Sequence, residues 1–118
     1  MAKRLNFFLV CFFHVNTKYW SMKIYSCKYL KKFSGITLAP LGVFIRPDRL
    51  TDKRLIHHER IHWEQQKEMG ILPFYLWYLA EGLWKGYRNI SFEREAYENE
   101  DNPEYLLTRK RWQWRKYL

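Results

Sequence analysis

The sequence predicts a small α+β domain in which a short N-terminal β-sheet or hairpin precedes about four helices. Three observations carry that prediction. Gly35 to Arg46 is β-prone and is broken once, by Pro40. Thr51 or Asp52 can cap a helix that runs from Lys53 to Met69 and stops at Gly70. Pro73, Gly86, Ser91 and the run Asp101-Asn102-Pro103 then divide the remainder into three further helical stretches.

A chain of 118 residues is long enough for one modest core and too short for two. Its many Trp, Tyr and Phe side chains would dominate burial, which argues against a disordered chain. The formal net charge of +9 is unevenly placed, because residues 1–47 carry Lys and Arg but no acid. We therefore divide the chain into a basic aromatic N-terminal arm, 1–33, and a single domain, 34–118. Leu5 to Val15 follows Lys3 and Arg4 in the manner of a secretory signal, but it lacks a small-residue cleavage site, contains His14 and is too short to span a membrane. An internal start at Met22 would place that stretch upstream of the protein. Cys11 and Cys27 form no Cys-x-x-Cys pair and are expected to be reduced thiols, although they could pair in an exported protein; a cytoplasmic protein is expected, with membrane association as the alternative.

Taken in order, Pro40, which cannot donate to a ladder, points to an edge strand, with Leu41 to Ile45 the candidate, or to a break in a hairpin. Pro47 and Asp48 turn the chain into the first helix. The second, Pro73 to Trp84, is nearly all apolar, so it is expected to be a core helix buried on most sides, with a membrane-surface helix as the alternative. Ser91 can cap a third helix from Phe92 to about Glu100, and a fourth is expected from Pro103 to Tyr117. In that last segment rings alternate with bases, a pattern suited to single-stranded nucleic acid but commoner where a terminal helix turns its rings inward. Nucleic acid is accordingly not an expected partner.

The first helix contains His58-Glu59-Arg60-Ile61-His62, an H-E-x-x-H sequence. Four-residue spacing stacks the two imidazoles one turn apart on one face, where neutral rings can ligate zinc. Glu59 can face a reacting water instead of the metal, while Arg60 and Glu64 fall off this face and His14 and His57 are not expected as ligands. For a third ligand the third helix offers Glu93 and Glu95, which point about 200° apart, so only one can reach the histidines.

With these residues in place, the sequence resembles the gluzincin zinc metallopeptidases, in which a glutamate on a later helix completes the H-E-x-x-H site in an E-x-x-x-D pattern. The closest likeness is to the minigluzincins, and it implies a small zincin-like domain with one Zn2+ ion. Placed on that pattern, Glu93 is the metal ligand, with Glu95 the alternative, and Tyr97 stands where the family has aspartate, in the shell around the histidines. From about Ser34 onward, the blocks His57–Gln66, Leu72–Tyr78 and Tyr87–Tyr97 also resemble those of a group of short bacterial proteins.

The resemblance implies a peptide or protein substrate, hydrolysed with Glu59 as general base. His57, Tyr87 and Tyr97 are the candidates for steadying the oxyanion. Two other expectations stand beside this one: a noncatalytic structural zinc site, and a basic module touching a membrane surface or nucleic acid through its acid-free N-terminal part.

Overall fold

The computed structural model describes residues 22–30 and 33–118. Most of the N-terminal arm, with its signal-like stretch, His14 and Cys11, lies outside them. The α+β expectation holds: a three-stranded sheet is followed by four α-helices. Strand β1 is Ile24–Ser26, β2 is Gly35–Leu38 and β3 is Gly42–Ile45, in the spatial order β1-β3-β2. β1 falls within the stretch assigned to the arm, so the sheet reaches back beyond residue 34.

The edge-strand expectation for Leu41 to Ile45 is corrected. β3 is the central strand, parallel to β1 and antiparallel to β2, and the edge beside the helices belongs to β2. Pro40 sits between β2 and β3, after a cis Ala39–Pro40 bond, and breaks the hairpin, the other expectation for it. Arg46 N–H donates to Ser34 O, so in this register the main chains of Ile36 and Leu38 face β3, while those of Gly35 and Thr37 face away from it.

Helix α1, Lys53–Met69, starts as expected with the Asp52 carboxylate accepting from Leu55 N–H, and it ends at Gly70, whose φ of 86° favours glycine. Its apolar side joins the sheet through Trp63, packed with Ala39, Val43 and Ile45. A second core, Phe74, Ile90, Phe92 and Trp114, lies between helix α2 (Ile71–Lys85), helix α3 (Ser91–Asn99) and the C-terminal segment. Between the two cores runs a polar face of α1, on which His58, Glu59, His62, Gln65, Gln66 and Glu68 are all buried. Such burial is costly unless each group is partnered. Gln66 meets the requirement as a peptide unit would, accepting from Ala39 N–H at 2.8 Å and donating to Thr37 O at 2.8 Å along the outer edge of β2.

Three helix expectations change. α2 is not buried on most sides: only Phe74 and Glu81 are, and its outer face is open. Ser91 does not cap α3 with its side chain. It is the first helical residue, and its hydroxyl and N–H both donate to Glu81. The fourth helix is a single short turn, α4 (Tyr105–Thr108), because Arg109 is already extended at ψ 130°; a 3-10 turn over Gln113–Tyr117 follows after Trp112, whose left-handed φ of 63° an α-helix does not continue through. Trp114 turns inward there, as the inward-packing expectation had it. No helix among the described residues is long and apolar enough to cross a membrane.

Candidate metal centre

The fold brings His58, His62 and Glu93 together. Their metal-facing atoms form a small triangle, with His58 Nε2 and His62 Nε2 3.2 Å apart and Glu93 Oε1 lying 3.0 Å from the first and 3.2 Å from the second. A tetrahedral zinc ion about 2.0 Å from each of three ligands sets them roughly 3.3 Å apart, so the donor set and its spacing fit that ion. All three residues are buried, and they form a potential metal-ligand group among the described residues.

Hydrogen bonding fixes which atoms face the triangle. Gln65 Nε2 donates to Phe92 O at 3.1 Å and to Glu95 Oε1 at 2.9 Å, so the amide nitrogen is committed and its oxygen is turned to His62. His62 Nδ1, 2.8 Å from Gln65 Oε1, therefore carries the hydrogen, which leaves Nε2 a lone pair. His58 is set the same way, with Nδ1 2.7 Å from Glu100 Oε2. With both rings neutral, three lone pairs converge on one buried point. Acceptors alone cannot satisfy one another, so the cluster takes either a proton on His62, shared with Glu93, or a metal cation.

The electrostatics follow. Burial disfavours a charged His62, but the adjacent Glu93 carboxylate outweighs it, and the imidazole is pushed up to about 9. Glu93 is itself raised by burial yet held well below the usual carboxylate range by His62 and His58. Its second oxygen accepts from Tyr78 OH at 2.6 Å. Burial and then the Glu93 charge keep that phenol far above its ordinary value, so Tyr78 stays a donor.

Glu59 lies one residue from His58 and points to β2. Thr37 Oγ1 donates to Glu59 Oε2 at 2.6 Å, and Oε1 would stand 3.4 Å from a Cβ built on Gly35, which leaves that oxygen uncovered by any side chain at position 35. A cavity of about 230 Å³ opens over Glu59 and the triad, walled largely by rings and aliphatic groups including Leu30, Ile36 and Tyr75. A second, of about 340 Å³, adjoins it beyond His58 and Glu59 and is polar, bordered by Arg49, Arg54 and Glu100. Together they make a groove along β2, apolar at one end and charged at the other.

Of the two third-ligand candidates, only Glu93 reaches the histidines. Glu95 is fully buried elsewhere, its carboxylate accepting from Gln65, Tyr105 and Arg109. Tyr97 is in the surrounding shell, its ring edge-to-face with His58 at 4.7 Å between centroids. Tyr87 borders both cavities, with its hydroxyl 3.4 Å from that of Tyr97. His57 lines neither. Sequence reasoning missed Thr37, Gln65, Tyr78 and Glu100. For two of them a signal existed: Gln65 is seven residues from His58 and Glu100 seven from Glu93, two helical turns along the same faces.

No family model matches the chain, and neither the curated proteins nor the solved structures include a significantly similar one.

Proposed function

We propose that the chain holds one zinc ion through His58, His62 and Glu93 and hydrolyses peptide bonds with Glu59 as general base, which would make it a small zincin of the gluzincin type. The observation that carries this reading is the convergence of three buried potential ligand atoms beside a carboxylate fixed at the wall of a groove. Two imidazoles and one carboxylate are a donor set suited to zinc. When bound, that ion supplies Lewis acidity toward the scissile carbonyl and the attacking water.

The protein's own groups do the rest. Thr37 holds one oxygen of Glu59, and the other takes the proton of the attacking water and later returns it to the leaving amine. The outward main chain of Gly35 and Thr37 N–H offers an extended substrate strand-like pairing along the groove, next to where Gln66 already occupies Thr37 O. Tyr87 and Tyr97 hydroxyls stand at the groove as donors for the oxyanion.

A structural zinc site is the competing reading, favoured by the burial of all three ligands. Zinc per chain and cleavage of a broad peptide library separate the two. The native protein is expected to carry one zinc and cleave, His58→Ala and Glu93→Ala to lose the zinc, and Glu59→Gln to keep it without cleaving. A zinc-loaded native chain that cleaves nothing favours the structural site, and a folded native chain without zinc removes both.

A further inference from the structure

Helix α2 keeps its acid inside and its leucines outside. Its one carboxylate, Glu81, is 1% exposed and accepts from Ser91 and Lys85. Its outward face holds Leu72, Leu76, Leu79, Leu83, Trp77 and Trp84, of which Leu83 is 82% and Trp84 76% exposed. Every exposed residue from Leu72 to Trp84 is apolar. A contiguous apolar face of this kind marks a docking surface.

The surroundings favour one occupant. Between Gly70 and Ile90 Glu81 is the only acid, and it is inside, whereas Lys85 and Arg88 follow at the helix end with Arg88 exposed. Two copies of a chain carrying +9 repel, and an anionic surface attracts it. The exposed stretch is about 18 Å long, short of the roughly 30 Å of a bilayer core, so the helix can lie on a membrane but not cross it. Exposed Trp77 and Trp84 are the amphipathic rings that settle at such a boundary. We infer that α2 docks the protein on an anionic lipid surface, lying in the interfacial plane with its leucines and indoles in the acyl boundary and Arg88 among the headgroups. The inference does not depend on the metal site, which lies on the inner side of α2.

Flotation of the full chain with vesicles tests it, using phosphatidylcholine alone and phosphatidylcholine with about 30% phosphatidylserine. Binding is expected to the anionic vesicles and to fall as salt is raised. Leu79→Gln with Leu83→Gln should weaken it about tenfold or more. Arg88→Gln should weaken it about fivefold on anionic vesicles only. Because these positions are exposed, circular dichroism and the unfolding midpoint should match the native chain, so a loss of binding is not a loss of fold. Undiminished binding by the double variant would assign the contact to another face. A native dimer that the double variant dissociates, with no binding to vesicles, would make the occupant a second copy. Either result, or no binding at all, overturns the inference.

Discussion

Replacing Arg109 by Met should destabilise the protein more than any other single change outside the metal triad. The guanidinium is buried and spans two carboxylates, making two hydrogen bonds to Glu95 and two, at 2.9 and 3.0 Å, to Glu68. Breaking a buried ion pair from one side costs about 3–5 kcal/mol, because the remaining charge is stranded. The two carboxylates would not suffer equally. Glu68 borders a cavity with Lys67 and Arg111 and keeps Trp112 N–H, so it can relax toward water. Glu95 is fully buried and keeps only Tyr105 and Gln65, so most of the cost falls there. Against a total stability of about 5–15 kcal/mol, this is a large share. Urea unfolding of Arg109→Met and of Arg109→Met/Glu95→Gln measures it, and the second variant, with no stranded charge at position 95, should recover about 2 kcal/mol. A loss below about 1 kcal/mol, or a double variant no more stable than the single, would refute the assignment of the cost to Glu95.

The remaining expectations concern the metal. Glu100→Ala removes the partner of His58 Nδ1 and should weaken zinc binding about 10–100-fold in a chelator competition, with unchanged affinity counting against the role given to Glu100. Tyr78→Phe strips Glu93 Oε2 of its donor and should weaken zinc about tenfold while costing about 1–2 kcal/mol of metal-free stability, both measurable on one purified variant. Zinc affinity should rise about tenfold per pH unit below about 9 and level off above it, because loading must displace the His62 proton; a flat calorimetric titration series would contradict this. The linked sign holds for stability. His62 is raised, so its contribution to the metal-free fold is full below about 6.5 and lost as pH rises through about 9, and zinc-loaded protein should not show that loss.

What could be read from the sequence was what depends on neighbours along the chain. Asp52 and Gly70 bound α1 as their capping chemistry demands, and four-residue spacing put His58 and His62 on one face. Periodicity also separated Glu93 from Glu95, but it could not choose between them, since the choice depends on which side of α3 meets α1. The edge strand was misplaced for the same reason: Pro40 signals a break in pairing, and whether β3 gains a second neighbour is decided by β1, twenty residues earlier, in a stretch without strand periodicity. α2 misled in the opposite direction. Apolarity on every side reads as burial, yet Leu76 and Leu83 are left in solvent while Glu81 is enclosed by Lys85 and Ser91.

On the proposed gluzincin reading, Tyr97 stands where that pattern has an aspartate, and α3 itself accommodates the difference. An aspartate four residues after the ligand glutamate would reach a histidine from one turn away. Here a ring occupies that place, against His58, and the carboxylate comes from Glu100, one turn further along the same stripe as Glu93 and Tyr97. The longer glutamate side chain can cover the added distance, and Arg54 at 2.8 Å holds its other oxygen, so Glu100 is oriented from both sides. His58 thereby keeps the Nδ1 acceptor that fixes its tautomer, and the fourth position is released for a hydroxyl beside Tyr87 over the polar end of the groove. On that reading, a carboxylate two turns from Glu93 and a phenol in the aspartate's place would preserve metal orientation while adding a donor where a substrate would lie.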